Sequence, residues 1–185
     1  MFIMFQLLGK DEMILRNLIV AGANLNERGP RQQTALHMAA EREEGGILTN
    51  ILLDAGADWA LLDDNGNSAL HTAARLCHVS VAEVLLTQSH VDAESLNMRG
   101  QNPLHLAASS GREAAASLLA LFLQCMPQYP INAPDIDGNT RKIISQQLLP
   151  FKLFIFYFFL FSYDISPSHL CSFAVGLYEG QCHHV

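Results

Sequence analysis

"TALHMAA" at residues 34–40, "SALHTAA" at residues 68–74 and "NPLHLAA" at residues 102–108 are one phrase written three times. Thr34 to Ser68 and Ser68 to Asn102 are both steps of 34 residues. A period of that size marks a chain of stacked supersecondary units rather than one continuous core. Turn-forming residues precede the phrase, Gly66-Asn67 in the second case and Gly100-Gln101 in the third. An apolar pair follows it: Leu52-Leu53, Leu85-Leu86 and Leu118-Leu119. "AGAN" at residues 21–24 and "AGAD" at residues 55–58 close two of the units.

Each letter of the phrase has a physical role. Thr34, Ser68 and Asn102 stand where a helix begins, and their side-chain oxygens can accept from the free N–H groups of its first turn. Pro103 fits the first helical position, where no N–H is needed. Leu36, Leu70 and Leu104 are predicted core residues. The pairs Ala39-Ala40, Ala73-Ala74 and Ala107-Ala108 are small enough for neighbouring helices to approach closely. The paired leucines belong to a second helix packed on the first. Gly22 and Gly56 can end that helix in the left-handed conformation that other residues resist. Each unit is therefore a helix–turn–helix with a projecting loop, and it buries its apolar face by stacking on its neighbours.

A period of 34 suits both tetratricopeptide and ankyrin repeats, and the words decide between them. Tetratricopeptide units want a Trp-Leu-Gly-Tyr pattern, and the single tryptophan, Trp59, stands beside a turn. Thr-Pro-Leu-His-x-Ala is the ankyrin phrase, so the chain resembles an ankyrin-repeat protein. The fold expected is all-α, an ankyrin-repeat solenoid with an irregular hydrophobic C-terminal tail. Its divisions are a partial repeat at 1–28 and full repeats at 29–62, 63–96 and 97–134, the last with an extended connection. An aborted repeat start at 135–140 and a non-repeat tail at 141–185 follow. "EREEGG" at residues 41–46 replaces the expected Gly-His and makes the first unit one residue longer than the second, so its inter-helix turn should be looser. With no polar capping repeat at either end, Leu18, Ile19, Leu118, Leu119 and Leu121 are expected partly uncovered.

Several stretches are more particular than the general repeat: "GANLNERGPRQQTALHMAAE", "DDNGNSALH", "VDAESLNMRGQNPLH" and "LFLQCMPQYPINAPDIDGNT". Over about residues 15–140 they resemble the large ankyrin-repeat proteins that end in a FYVE zinc finger, the rabankyrin type. That resemblance implies an endosomal trafficking scaffold, an effector of an early-endosomal Rab GTPase. The family's lipid-binding finger is not carried over, because Cys77, Cys125, Cys171 and Cys182 form no C-x-x-C pair and cannot supply eight zinc ligands. The BTB domain of that family has no counterpart in this sequence either. No cofactor or metal is expected. The location expected is cytoplasmic and endosome-associated.

The tail changes composition abruptly. Alanine is absent from Pro134 to Phe173, and six of the ten phenylalanines lie between Phe151 and Phe161. A membrane anchor over residues 148–163 would make the chain a tail-anchored adaptor. Yet the uncharged run Leu153–Tyr163 has 11 residues, about 16 Å of helix against roughly 30 Å of hydrocarbon. A buried segment packed on the last repeat is a second reading. Read-through of a splice site into a pyrimidine-rich intron is a third, and the break in mid-repeat directly after "DGNT" favours it. Residues 1–140 alone are then expected to fold, marginally, without help from the tail.

Ankyrin folds present their loop tips and the exposed side of their first helices on one concave face. By the repeat pattern that face carries Pro30, Arg31, Gln33, Glu41 and Arg42, then Asp64, Asn65, Asn67, Arg75 and Leu76, then Met98, Arg99, Gln101, Ser109 and Ser110. For any one of them a merely solvated position is the plain alternative. As a set they are the candidates for contact with a protein partner, a small GTPase or trafficking protein. A net charge of −7 argues against a nucleic-acid partner. Membrane association is expected only if the tail inserts. His37, His71 and His105 recur at the same 34-residue step, which suits a repeated structural role rather than a catalytic or metal constellation. No Ser-His-Asp order, phosphate loop or paired-carboxylate pattern points to an enzyme.

Overall fold

The computed structural model describes residues 12–88, 91–110 and 114–125. The extended connection after Cys125, the aborted repeat start and every reading of the tail lie outside them. Seven α-helices run through the described residues, and no strand does: α1 Glu12–Val20, α2 Ala35–Ala40, α3 Gly46–Asp54, α4 Ala69–Leu76, α5 Val79–Gln88, α6 Pro103–Ser109 and α7 Ala114–Cys125. A 3-10 turn, Pro30–Gln32, precedes α2. None of the seven is long and apolar enough to cross a membrane.

Two layers result. The first helices, α2, α4 and α6, stack on one another, and the second helices, α1, α3, α5 and α7, form the other layer. Each first helix also packs on the second helix of its own unit. The repeated phrase sets this up. Helices begin at Ala35, Ala69 and Pro103, directly after Thr34, Ser68 and Asn102. Ser68 Oγ accepts from His71 N and Asn102 Oδ1 from His105 N, satisfying donors that a helix start leaves free. Leu36, Leu70 and Leu104 are buried, and all six alanines of the pairs are buried beside them. Leu52 and Leu85, the first members of the apolar pairs, are fully buried, whereas Leu53 and Leu86 are half-exposed.

Helix ends follow the same economy. After α1 and α3, Gly22 and Gly56 take φ of +78° and +86°. The amide of Gly56 bonds Leu53 O and that of Ala57 bonds Leu52 O, so carbonyls of the last turn are satisfied within the chain. After α4 the same job falls to Cys77, a non-glycine residue at φ +58°. In the first unit α2 stops at Ala40, and five residues, Glu41–Gly45, lead to α3. In the second unit two residues, Cys77 and His78, join α4 to α5. The extra residue of "EREEGG" is thus accommodated by a shorter helix and a longer turn.

The ends of the stack differ. Leu18 and Ile19 on α1 are half-buried, and Met13 and Val20 are exposed. Leu118 and Leu119 correct the sequence-based expectation, because both are buried. Helix α7 packs against α5 and α6, and Leu118, Leu119 and Phe122 are taken up in that packing, leaving Leu121 half-buried.

Thr49 and Asn50, neighbours on α3, each bury a polar side-chain atom without a hydrogen-bond partner. Thr49, on α3, is wholly enclosed and its hydroxyl has no hydrogen-bond partner. Valine keeps the branched shape and removes the desolvated hydroxyl. Thr49→Val is therefore expected to raise stability by about 1 kcal/mol, read as a higher urea midpoint. A lower midpoint would mean that the hydroxyl is satisfied after all.

Candidate functional site

The projecting loops are held as a row of fingers. In the second finger Asp63 Oδ1 accepts from the amides of Asn65 and Asn67, each at 2.8 Å. In the third, Asn97 Oδ1 accepts from Arg99 N at 2.9 Å and Gln101 N at 3.0 Å. Both fingers close their tip with a left-handed glycine, Gly66 at φ +74° and Gly100 at φ +67°. Neighbouring fingers are tied by main chain: Asp64 N donates to Arg31 O, and Met98 N donates to Asn65 O, both at 3.1 Å. Arg28 clamps the first finger to the second, its Nη1 donating to Leu62 O at 2.7 Å.

The first finger reaches the same shape without those residues. Gly29 stands where Asp63 and Asn97 stand, so the side-chain oxygen that organises those loops is missing here, and Arg28 Nη1 donates to Gln32 O at 3.3 Å instead. Gln32 stands where Gly66 and Gly100 stand and is forced to φ +56°, with Arg31 also at φ +56°. A side chain there crowds the following carbonyl. Gln32→Gly is expected to raise stability by roughly 0.5–1 kcal/mol, the relief of strain exceeding the extra freedom glycine gives the unfolded chain. Thermal melts of the two proteins decide it, and a lower melting temperature for the glycine variant would contradict it.

The histidines lie behind the fingers. His37 and His71 are fully buried. His37 Nε2 is 3.0 Å from Asn67 O, and His71 Nε2 is 3.1 Å from Gln101 O. A carbonyl only accepts, so Nε2 carries the proton and donates. Nδ1 is then the acceptor, receiving Thr34 N in one repeat and Ser68 N in the next. His105 repeats the local half of this, with Asn102 N donating to its Nδ1 at 3.1 Å. Each imidazole therefore ties its own helix start, and His37 and His71 also hold the base of the next finger. Among the described residues no group of three or more His, Cys, Asp or Glu side chains is gathered to hold a metal ion.

This arrangement favours the neutral ring. Burial pushes the pKa of His37 and His71 below 6.5, outweighing the carbonyl bonds and the nearby Asp63 carboxylate, which act the other way. Arg28 also lowers His37, and Glu41 raises it. Between the folded pKa and 6.5 the unfolded chain binds protons that the folded chain refuses. Stability is thus present above pH 6.5 and is expected to fall as pH drops below that value. Asp63 acts in a lower window. Burial raises its pKa, but the amides of Asn67 and Asn65 win and hold the carboxyl below 3.8, so its contribution is lost only as pH falls through that range. Denaturant midpoints measured at falling pH should show a first loss beginning near 6.5, the unperturbed histidine value; a flat profile down to pH 5 would contradict the neutral histidines.

The candidate contact residues divide by what their side chains do. Pro30, Arg31, Glu41, Asp64, Asn65, Arg75, Met98, Arg99 and Ser109 are exposed. Gln33, Arg42, Asn67, Leu76, Gln101 and Ser110 are half-buried. Asn67 is tied inward: it donates to Asp63 Oδ2 at 3.2 Å and accepts from Asn97 Nδ2 at 3.0 Å. Ser110 Oγ donates to Ala107 O at 2.7 Å and lies 3.1 Å from Cys77 Sγ. Gln33 donates to Glu41 Oε1 at 2.8 Å, which brings the base of the first finger beside the end of α2. The sequence reading passed over Leu62 and Leu96, which are exposed at 42% and 59%. Their signal was an apolar residue at the same repeat position, directly before Asp63 and Asn97.

A family model described as "Ankyrin repeats (3 copies)" matches the chain over residues 3–95 and again over 43–129. The chain belongs to the ankyrin-repeat family. Among individual ankyrin relatives, Rabankyrin-5 of Mus musculus and Rabankyrin-5 of Homo sapiens are each 49% identical to it over 35 residues. That match takes in 19% of this chain and 3% of either relative, a much shorter stretch than the resemblance read from the sequence. Ankyrin repeats are protein–protein interaction modules, and the finger row has the construction such a module needs: backbone held from behind, side chains at the tips left outward.

Proposed function

We propose that this chain is a protein-binding scaffold of an endosomal trafficking adaptor, and that it takes its partner on the finger tips and the exposed ends of α2, α4 and α6. The observation that carries this reading is the contrast within the finger row. Asp63, Asn67, Asn97 and the two histidines spend their polar atoms on holding the fingers. The side chains of Arg31, Arg75 and Arg99 are exposed, and their guanidinium groups are not used to hold the fingers. Rigid placement of uncommitted side chains lowers the entropy cost of binding. The endosomal part rests on the likeness to Rabankyrin-5, and the small GTPase class of partner comes with it.

Proximity labelling from the full chain in cultured cells tests both parts. Early-endosomal trafficking proteins should be enriched, and the enrichment should disappear with Arg75→Ala and Met98→Ala combined, two exposed changes with little cost to folding. Partners kept by the double variant would move the contact surface elsewhere. Partners without endosomal proteins would leave a scaffold and remove the adaptor.

A further inference from the structure

Charge is unevenly divided along the described residues. The fingers and first helices, residues 28–42, 62–76 and 96–110, hold Arg28, Arg31, Arg42, Arg75 and Arg99 against three carboxylates, Glu41, Asp63 and Asp64. The other described residues hold one arginine, Arg16, against nine carboxylates. No lysine occurs among the described residues. Among the described residues, five of the six arginines therefore lie in these segments. Of the three carboxylates there, Asp63 is taken up by the amides and side chain of its own finger and Glu41 by Gln33.

The same segments expose apolar side chains. Met98 is 72% exposed, and its side chain lies over the neighbouring finger at Gly66, where an added Cβ would come within 3.0 Å of its Cγ. Leu96 is two positions earlier in the same finger, and Leu62 holds the place of Leu96 one finger before. The finger-to-finger bonds from Asp64 N to Arg31 O and from Met98 N to Asn65 O set Arg31 and Arg99 one finger to either side of Asn65. Arg75 stands eight residues after Asn67, the step that brings Glu41 against Gln33 one repeat earlier.

We propose that this face docks an acidic, extended peptide segment of a partner protein, with carboxylates on Arg31, Arg75 and Arg99 and apolar side chains on Leu62, Leu96 and Met98. Guanidinium groups suit carboxylates because their fork of N–H donors matches two oxygens at once. Exposed pairs are individually weak, so the apolar contacts must share the work. A peptide fits better than a nucleic acid, because Asp64 at a finger tip and the carboxylates of the flanking loops, Glu27, Asp58, Asp92 and Glu94, repel a continuous polyanion, whereas a peptide can space its charges. The inference rests on the protein-binding reading above and adds the chemistry of the partner.

The test is fluorescence anisotropy with the full chain and three labelled probes: a peptide of repeated Glu-Glu-Leu, its Lys-Lys-Leu counterpart, and oligothymidylate. The acidic peptide should bind, more weakly as salt rises, and the basic peptide should not. Arg31→Glu, Arg75→Glu and Arg99→Glu together should weaken it by about tenfold or more, at an unchanged melting temperature. If that variant does not fold, the milder Arg→Gln triple carries the same expectation. Leu96→Ser with Met98→Ser should also weaken it. Equal binding of the basic peptide, or acidic binding that the arginine variants leave intact, would overturn the proposal. Oligothymidylate bound through the same arginines would make the face a general polyanion site and overturn the peptide assignment. A partner found by proximity labelling that depends on this face but contacts it with a non-acidic segment would sink this inference and leave the scaffold reading standing.

Discussion

Gly45→Ala is expected to destabilise the protein by about 3 kcal/mol, the cost of forcing a methyl group into space already filled. Gly45 joins the long turn of the first unit to α3, at φ −71°, a conformation open to any residue. Conformational freedom is therefore not why glycine is there; space is. A Cβ at Gly45 would lie 2.0 Å from Ala39 O and 3.0 Å from Arg42 O. Both obstacles are backbone, and Ala39 is fully buried, so neither can swing aside as a side chain would. Relief requires the last turn of α2 to move, and α2 is packed on α3 and α4. The next residue is the control. A Cβ at Gly46 would meet Ser80 O at 3.2 Å, a contact that a few tenths of an ångström would relax. Urea denaturation should rank Gly45→Ala well below Gly46→Ala. Equal midpoints for the two variants would show that the turn has slack that its geometry denies.

That glycine also marks where reading the sequence stopped being enough. The words of the repeat were legible because each acts locally. A serine before Ala69 caps its own helix, and a leucine two positions into the helix faces the core whatever happens elsewhere. "EREEGG" was legible as an extra residue, but not as a chain doubling back against Ala39 O, because that depends on where the extra residue is absorbed. The first finger was opaque for a related reason. "GPRQQ" holds neither the carboxylate or amide of Asp63 and Asn97 nor the tip glycine. Main-chain bonds within the finger, one from Asp64 N to Arg31 O, and the Arg28 side chain hold the turn, with Arg31 and Gln32 left-handed.

The contact face shows the same limit. Repeat register puts Gln33, Asn67 and Gln101 in one class. Their neighbours separate them: Asn67 is claimed by Asp63 and Asn97, and Gln33 by Glu41. Register finds the positions a finger can offer, and packing decides which side chains are left to offer. Leu118 and Leu119 teach it from the other direction, since counting repeats left them uncovered, while the packing of α7 on α5 and α6 buries them.

His71→Ala is expected to cost about 3 kcal/mol at pH 7.5, the sum of two buried polar groups left without partners and the space of a missing ring. His71 is fully enclosed. Its Nδ1 accepts from Ser68 N at 3.2 Å, and its Nε2–H donates to Gln101 O at 3.1 Å, so one ring joins the start of α4 to the base of the third finger. Alanine removes both bonds, and the site is too enclosed for water to replace them freely. Phenylalanine refills the volume without restoring either bond, so His71→Phe should remain strongly destabilised. A signature specific to the neutral imidazole lies in the pH dependence. Burial holds the folded pKa of His71 below 6.5, so in the parent the unfolded chain gains a proton at this position before the folded chain does. The alanine variant has no such proton to gain. The parent therefore loses stability faster than the variant as pH falls below 6.5, and the difference between them must shrink on going from pH 7.5 to pH 5. Urea titrations of both proteins across that range read it directly. A difference that stays constant would show that His71 does not titrate between the two states, and a cost under about 1 kcal/mol would show that its bonds are not what holds the finger.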